Sequence, residues 1–178
     1  MATSRWADVV NGLVDAMRAQ PGYRTPGSDG DSTGVLVLDG IEAVLTEDLA
    51  QRLLIVGGTP DDEEDPGDIG QSVATLGTSR SRDENGSILC SAIAQIGSAE
   101  LPDSTVVVQR QTARTLRADA FGVMAGVETV LRSNPTLGLA IGQHLDAEIG
   151  ERMSVQQFVN DDGAACVVRF AVKFTARI

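Results

Sequence analysis

The sequence predicts an α+β fold: an antiparallel or mixed β-sheet, two main α-helices packed on one of its faces, and long loops. Two segments carry apolar residues at helical spacing, and the strands come in groups and hairpins rather than alternating with helices. The last segment, "CVVRFAVKFTARI", alternates apolar and polar residues without a break. A chain of 178 residues is expected to form one domain, residues 1–178.

The first helix is predicted over residues 4–20, with Thr3 or Ser4 capping its start. Its apolar face is formed by Trp6, Val9, Val10, Leu13 and Met17. The following segment, residues 21–34, contains two prolines and four glycines and is predicted to be a long loop.

Several strands are predicted between the two helices. "GVLVLDG" is the first of them, and residues 53–56 form a buried strand after a possible helical turn capped by Thr46. "QSVATLGTSRS" and "SILCSAIAQIGS" flank "RDENG", in which Asn85-Gly86 is a strong hairpin signal. Residues 57–70 are predicted to be a second long loop.

The second helix is predicted over residues 112–133 and ends before Asn134-Pro135. Its apolar stripe consists of Leu116, Ala120, Val123, Met124, Val127, Val130 and Leu131. Ala118, Gly122 and Gly126 form a row of small residues that would let this helix lie close to the sheet.

Three strands are predicted after the second helix, and "NDDG" joins the last two as a hairpin. In the final strand, one face carries Cys166, Val168, Phe170, Val172, Phe174, Ala176 and Ile178. The other face carries Arg169, Lys173, Thr175 and Arg177 and is expected to meet solvent or a neighbouring subunit, with Arg169, Lys173 and Arg177 as candidate interface residues. The final strand is expected to be central in the sheet. Its last residues either complete the sheet or also meet a neighbouring subunit.

Composition limits the classes of function. The net charge of -11 disfavours specific DNA binding, because phosphates are repelled. Cys90 and Cys166 lie in apolar runs and are interpreted as buried, reduced thiols, with an inter-strand disulfide as the alternative. No secretory leader and no membrane span are evident, so the protein is expected to be made in a reducing cytoplasm.

No enzyme motif and no cofactor site are predicted. His144 is the only histidine, which leaves no two-histidine metal site. One acidic run consists of Asp61, Asp62, Glu63, Glu64, Asp65 and Asp68. It is interpreted as a solvated or interface loop, with a weak cation site as the alternative. Four arginines on and beside the second helix form either a solvated face or a contact with an acidic neighbouring subunit, and these are Arg110, Arg114, Arg117 and Arg132.

The order of these motifs resembles one known family. "WADVVNGLVDAM" leads through "GVLVLDG" and "LLIVGG" to "QSVATLGTSRSRDENGSILCSAIAQIGS". A long helix ending "VETVLRSNPTLG" and the closing strand "ACVVRFAVKFTARI" follow. Together they are similar to the tail terminator proteins of long-tailed (siphovirus-type) bacteriophages, especially phages of actinobacteria. The similarity extends over nearly the whole chain and depends on the order of the elements.

The resemblance implies a structural virion protein and not an enzyme. Such proteins form a ring, usually a homo-hexamer, at the head-proximal end of the tail tube, where they end tube polymerisation. The implied partners are the tail tube protein and the head–tail connector or head-closure protein. DNA would pass through the lumen without specific binding, and the two long loops would be available to contact tube or connector.

The sequence is also compatible with other functions. A head-closure or connector protein of the neck shares small α+β folds and ring assembly. A tail tube subunit fits less well, because such proteins are usually β-sandwiches. Outside the phage neck, the alternatives are an enzyme with a carboxylate metal site and a cytosolic module that binds a basic partner.

Overall fold

A computed structural model describes residues 4–26, 34–40, 51–58, 69–73, 82–97, 106–139, 145–160 and 163–177. Within these ranges the chain forms two helices and seven strands. In chain order they are α1 (Trp6–Arg18), β1 (Tyr23–Arg24), β2 (Val35–Asp39), β3 (Arg52–Val56), β4 (Ile69–Val73), β5 (Arg82–Gly97), α2 (Val106–Ser133), β6 (Leu145–Asn160) and β7 (Gly163–Arg177).

The strands form one mixed sheet in the order β1-β2-β3-β5-β7-β6, and β4 also pairs with β5. The pairs β1–β2 and β2–β3 are parallel, and the remaining pairs are antiparallel. The predicted α+β fold with a mixed sheet and two helices is therefore confirmed. The prediction that the final strand is central is confirmed too, since β7 lies between β5 and β6.

Both helices pack on the same face of the sheet. From α1, Val9, Leu13 and Met17 are fully buried, and from α2, Ala120 and Val127 are fully buried. They meet the alternating apolar residues of the strands, which are Val35, Val37, Leu54, Val56, Ile88, Cys90, Ala92, Ala94, Cys166, Val168, Phe170, Val172, Phe174 and Ala176. The helical spacing and the strand alternation read from the sequence thus form one core, stabilised by removal of apolar surface from water.

A second buried cluster lies on the other face of the sheet. It consists of Leu36, Leu38, Leu53, Ile55, Ile93 and Val167. These residues alternate with the first core along the same strands, so β2 and β3 are apolar on both sides. This explains why "VLVL" and "LLIV" are continuous apolar runs, which is typical of parallel strands buried on both faces.

The predicted turn at Asn85-Gly86 is wrong. Both residues lie inside β5, where Asn85 pairs with Gly70 of β4 and with Thr175 of β7. Gly86 likewise pairs on both sides, with Ile69 and Phe174. The strand that precedes β5 and pairs with it antiparallel is β4. Pairing on both sides of β5 outweighs the local turn preference of the dipeptide.

Two other predictions need correction. Residues 21–34, predicted to be a loop throughout, contain β1, which pairs with Val35 and Leu36 of β2. Of the first two strands predicted after α2, "LGLAIGQHLDAEI" contributes only residues 145–149, and these join "MSVQQFVN" in the single strand β6. The register of β6 with β7 shifts between Ile149 and Met153. That irregularity lies at "GER", where the apolar alternation is interrupted.

The helix bounds differ from the predicted ones by a few residues. The N-cap position of α1 is Arg5, and Ser4 Oγ accepts a hydrogen bond from the Trp6 amide at 3.1 Å. Helix α2 begins at Val106, earlier than predicted, and ends at Ser133 as predicted. None of the helices in the described ranges combines the length and apolarity needed to cross a membrane. The possible turn at Thr46 lies outside the described residues.

Candidate interaction surfaces

The face of the sheet opposite the helices carries three of the predicted interface residues. Arg169, Lys173 and Arg177 alternate with the core residues of β7, so they share this face. Lys173 and Arg177 are exposed, whereas Arg169 is half-buried. Arg177 Nε lies 3.2 Å from the Asp83 carboxylate on β5, and Lys173 stands opposite Glu148 on β6. The basic residues of this face therefore alternate with acidic ones from the neighbouring strands.

A shallow depression of about 340 Å³ lies on the same face. It is lined by Asn85, Gly86, Ser87, Asp146, Glu148, Lys173, Phe174 and Thr175. Thr175 Oγ1 donates to Asn85 Oδ1 at 2.8 Å, which holds the two side chains across the strands. Because Asp146, Glu148 and Lys173 bring both signs of charge to its lining, this surface suits polar side chains of another protein.

The arginines of α2 fall into two places. Arg114, Arg117 and Arg132 are all exposed. Arg132 lies near the end of the helix, where its guanidinium is 2.6 Å from the Glu128 carboxylate. Arg117 and Arg132 are separated by about 22 Å along the helix axis at 1.5 Å per residue. The structure thus places Arg114 and Arg117 together and separates Arg132 from them. Arg110 also lies in α2.

The acidic run of residues 61–68 and His144 lie outside the described residues. The predictions for Asp61, Asp62, Glu63, Glu64, Asp65 and Asp68 therefore stay predictions. Within the described ranges no group of three or more His, Cys, Asp or Glu side chains is arranged to hold a metal ion.

Sequence reasoning missed an exposed stretch of β6. Every residue from Glu151 to Val159 is exposed. Four large apolar side chains lie within it: Met153 and Phe158 are 49% exposed, Val155 is 44% exposed and Val159 is 72% exposed. The available signal was the broken alternation in "MSVQQFVN", which leaves neither face of the strand uniformly apolar.

A buried carboxylate was also missed. Glu84 on β5 is fully buried beside the start of α1. Its carboxylate accepts hydrogen bonds from Ser4 Oγ at 2.7 Å and from the Arg5 amide at 3.1 Å to each oxygen. A negative charge at a helix N-terminus is favourable because it meets unpaired amides and the positive end of the helix dipole. Glu84 therefore has a structural role in joining α1 to β5.

The two cysteines are free and buried, as predicted. Cys166 pairs with Ala94, four residues along β5 from Cys90, which is about 13 Å of strand and too far for a disulfide. The alternative of an inter-strand disulfide is therefore wrong. Burial raises the pKa of the Cys90 thiol to about 12. Burial also raises the pKa of Cys166, and the charge of Arg117 opposes part of that rise. Both thiols are held in the protonated, unreactive form.

The fold and these surfaces define an α+β domain with charged and apolar surfaces available to other proteins. No protein-family model matches the chain, and comparison with curated proteins gave no significant match.

Proposed function

We propose that the protein is a structural component of a phage virion: a tail terminator that forms a ring at the head-proximal end of the tail tube. In this role it ends tube polymerisation and joins the tail to the head–tail connector. It is made in the host cytoplasm, takes part in no catalysis and uses no cofactor. DNA passes through the lumen of the ring, which is expected to be a hexamer.

The observation that carries the proposal is the order of the elements. The chain runs from a short helix through a group of strands to a long helix and a closing hairpin. The motifs by which the sequence resembles tail terminators follow this order, and most of their described residues belong to these elements. The closing motif is β7, the strand around which the sheet is organised.

Charge supports the proposal in two ways. A chain with a net charge of -11 repels DNA, which favours free passage of the genome. The exposed basic side chains on β7, together with Arg114 and Arg117 of α2, can meet acidic groups of neighbouring subunits. Arginine is suited to carboxylates because its planar fork can bind both oxygens.

The test is to add the purified protein to isolated or growing tail tubes and to image them by electron microscopy. We expect a ring at one end of each tube and a fixed tube length. If the protein does not bind the tubes but binds DNA-filled heads, the result would instead favour a head-closure or connector protein. Binding to neither would overturn the phage-neck proposal.

Two charge-reversed variants would locate the face that meets the tube. Lys173→Glu changes the exposed sheet face, and Arg132→Glu makes the same change on α2. If the sheet face contacts the tube, only Lys173→Glu reduces the fraction of capped tubes. Equal capping by both variants would assign the contact to another surface.

A further inference from the structure

We propose that the exposed part of β6 and the adjoining arginines of α2 form a contact surface for a second copy of this chain. This surface, here called the β6 patch, consists of Met153, Val155, Phe158, Val159, Arg114, Arg117 and Arg152. The inference is drawn from the exposure and charge of these residues. It deepens the proposed ring assembly, on which it rests, by naming a surface through which neighbouring copies would meet.

The first observation is that β6 is an open edge of the sheet. Within the described residues β6 pairs on one side only, with β7. At the opposite edge, β2 extends beyond β1, and there the Arg18 guanidinium donates to the Val37 carbonyl at 3.0 and 3.3 Å. Proteins protect sheet edges with charged residues, proline or covering side chains. Residues 153–159 of β6, "MSVQQFV", contain neither a charged residue nor a proline.

The second observation is the apolar surface along that edge. Met153, Val155 and Val159 stand opposite core residues of β7, so they lie on the helix-bearing face, whereas Phe158 lies on the other face. Isolated exposed apolar residues are common on protein surfaces. Met153, Val155 and Val159 together make one face of this strand segment apolar and exposed, and Phe158 adds exposed apolar surface on the other face. Clustered exposed apolar residues of this kind mark interaction sites.

The third observation places the arginines beside this strand. Gln157 Nε2 on β6 donates to the Ala113 carbonyl of α2 at 3.0 Å, so Arg114 begins next to the patch. Gln157 stands opposite Cys166, whose thiol is close enough to Arg117 to be influenced by its charge. Arg152 precedes the apolar residues on β6 itself. All three arginines are exposed.

The charge of the patch indicates the occupant. Its three arginines and the adjacent Glu151 give a net charge of 3 - 1 = +2, so the rest of the chain carries -11 - 2 = -13. A second copy therefore offers abundant acidic surface to a patch that is both apolar and basic. A two-fold contact centred on the patch would place arginines against arginines. The patch of one copy must then meet a different surface of the next, and such contacts, when repeated, close rings or extend filaments.

The experiment is sedimentation velocity on the full chain over a wide range of protein concentration, at low and at high salt. We expect the wild-type chain to associate with rising concentration, and to do so less at high salt because charge pairing is screened. The pair Phe158→Ser and Val159→Ser removes apolar surface, and the pair Arg114→Glu and Arg117→Glu reverses the charge. Each pair should weaken association by about tenfold or more.

Arg132→Glu is the control, since it makes one arginine-to-glutamate substitution at an exposed position of α2 outside the patch. Each single variant, Arg114→Glu or Arg117→Glu, matches it in charge change. Arg132→Glu should associate like the wild type. Because every substituted side chain is exposed, circular dichroism and thermal unfolding should change little. If the serine pair fails to fold, the arginine pair alone decides the test.

Two results would overturn the inference: a wild-type chain that stays monomeric at every concentration, or patch variants that associate as strongly as the control. Failure of the tube-capping assay is a separate result, because self-association through the patch requires no tail tube.

Discussion

At the residue scale, Glu84 has the largest structural role that the sequence does not reveal. Burying a carboxylate is unfavourable unless hydrogen bonds replace the lost water. Here Ser4 Oγ and the Arg5 amide supply them, and both groups belong to the start of α1. Trp6 adds a second link between the same elements, since its indole N–H donates to the Ser87 carbonyl at 3.3 Å.

We predict that Glu84→Gln lowers the free energy of unfolding by about 1.5–3 kcal/mol, the range for hydrogen bonds to charged groups. The amide keeps the size of the side chain but has only one acceptor oxygen and no charge to meet the helix N-terminus. Glu84→Ala should cost at least as much, because buried donors at the start of α1 then lose their acceptor. Denaturant unfolding followed by circular dichroism measures both.

Glu128→Gln is the control for this prediction. Glu128 forms an exposed ion pair with Arg132 on α2, and such pairs contribute about 0.5 kcal/mol or less. If the two Gln variants lose the same amount of unfolding free energy, the hydrogen bonds around Glu84 contribute no more to stability than an exposed ion pair.

At the element scale, α2 shows how one sequence pattern can have two structural outcomes. The row of Ala118, Gly122 and Gly126 was predicted to let the helix lie close to the sheet. Only Gly126 has this role, because a Cβ there would overlap the Tyr23 hydroxyl of β1. Gly122 is exposed and nothing lies within 4 Å of a Cβ built on it. Ala118 is exposed as well.

We predict opposite effects for the same substitution at these two glycines. Gly122→Ala should raise the free energy of unfolding by about 0.5–1 kcal/mol, because alanine is the better helix former. Gly126→Ala should instead lower the free energy of unfolding, because the new methyl group would displace the Tyr23 side chain that packs against the helix. Thermal and denaturant unfolding of the two variants give the comparison.

A double-mutant cycle with Tyr23→Ala identifies the cause. Once the tyrosine ring is removed, Gly126→Ala should stabilise the chain as Gly122→Ala does, with a coupling energy within about 0.5–3 kcal/mol. If Gly126→Ala still lowers the free energy of unfolding in the Tyr23→Ala background, Tyr23 is not what excludes a side chain at that position.

At the scale of the whole molecule, β7 organises the sheet. It pairs along nearly its full length with β5 on one side and β6 on the other, and its apolar face lies under α2. Since its main chain is paired on both sides, β7 cannot add a strand from another subunit. Only its outward side chains, Lys173 and Arg177 among them, are available for contacts. Among the described strands, β6 pairs with β7 alone, so its outer main-chain edge can accept another subunit.

We predict that hydrogen exchange distinguishes these two strands. Amides of β7 should exchange only through global unfolding, because their hydrogen bonds are buried in the centre of the sheet. The outward amides between Met153 and Val159 should exchange rapidly in dilute protein. Mass spectrometry of peptides from the two strands, after exchange for matched times, measures the difference.

Slow exchange along residues 153–159 at the lowest protein concentration would contradict an open β6 edge. Protection that appears only as concentration rises would instead agree with self-association through the β6 patch.

The sequence by itself determined the parts of this protein that depend on local periodicity. Helical spacing in α1 and α2, the end of α2 before Asn134-Pro135, and the faultless alternation of β7 required no knowledge of neighbours. These patterns were sufficient for the α+β class, because an apolar face must be buried against another element. They also placed Arg169, Lys173 and Arg177 on the outward face of β7.

Tertiary structure alone decided the features that depend on which strands lie side by side. Asn85-Gly86 extends rather than turns because β4 and β7 pair with it from both sides. Glu84 is buried because α1 begins above it, and residues 151–159 are exposed because β6 is at the edge of the sheet. Local preferences are of the order of 1 kcal/mol, and paired strands with a buried core outweigh them over many residues. The order of strands in the sheet, which no single segment encodes, therefore determined which surfaces this protein can offer to a partner.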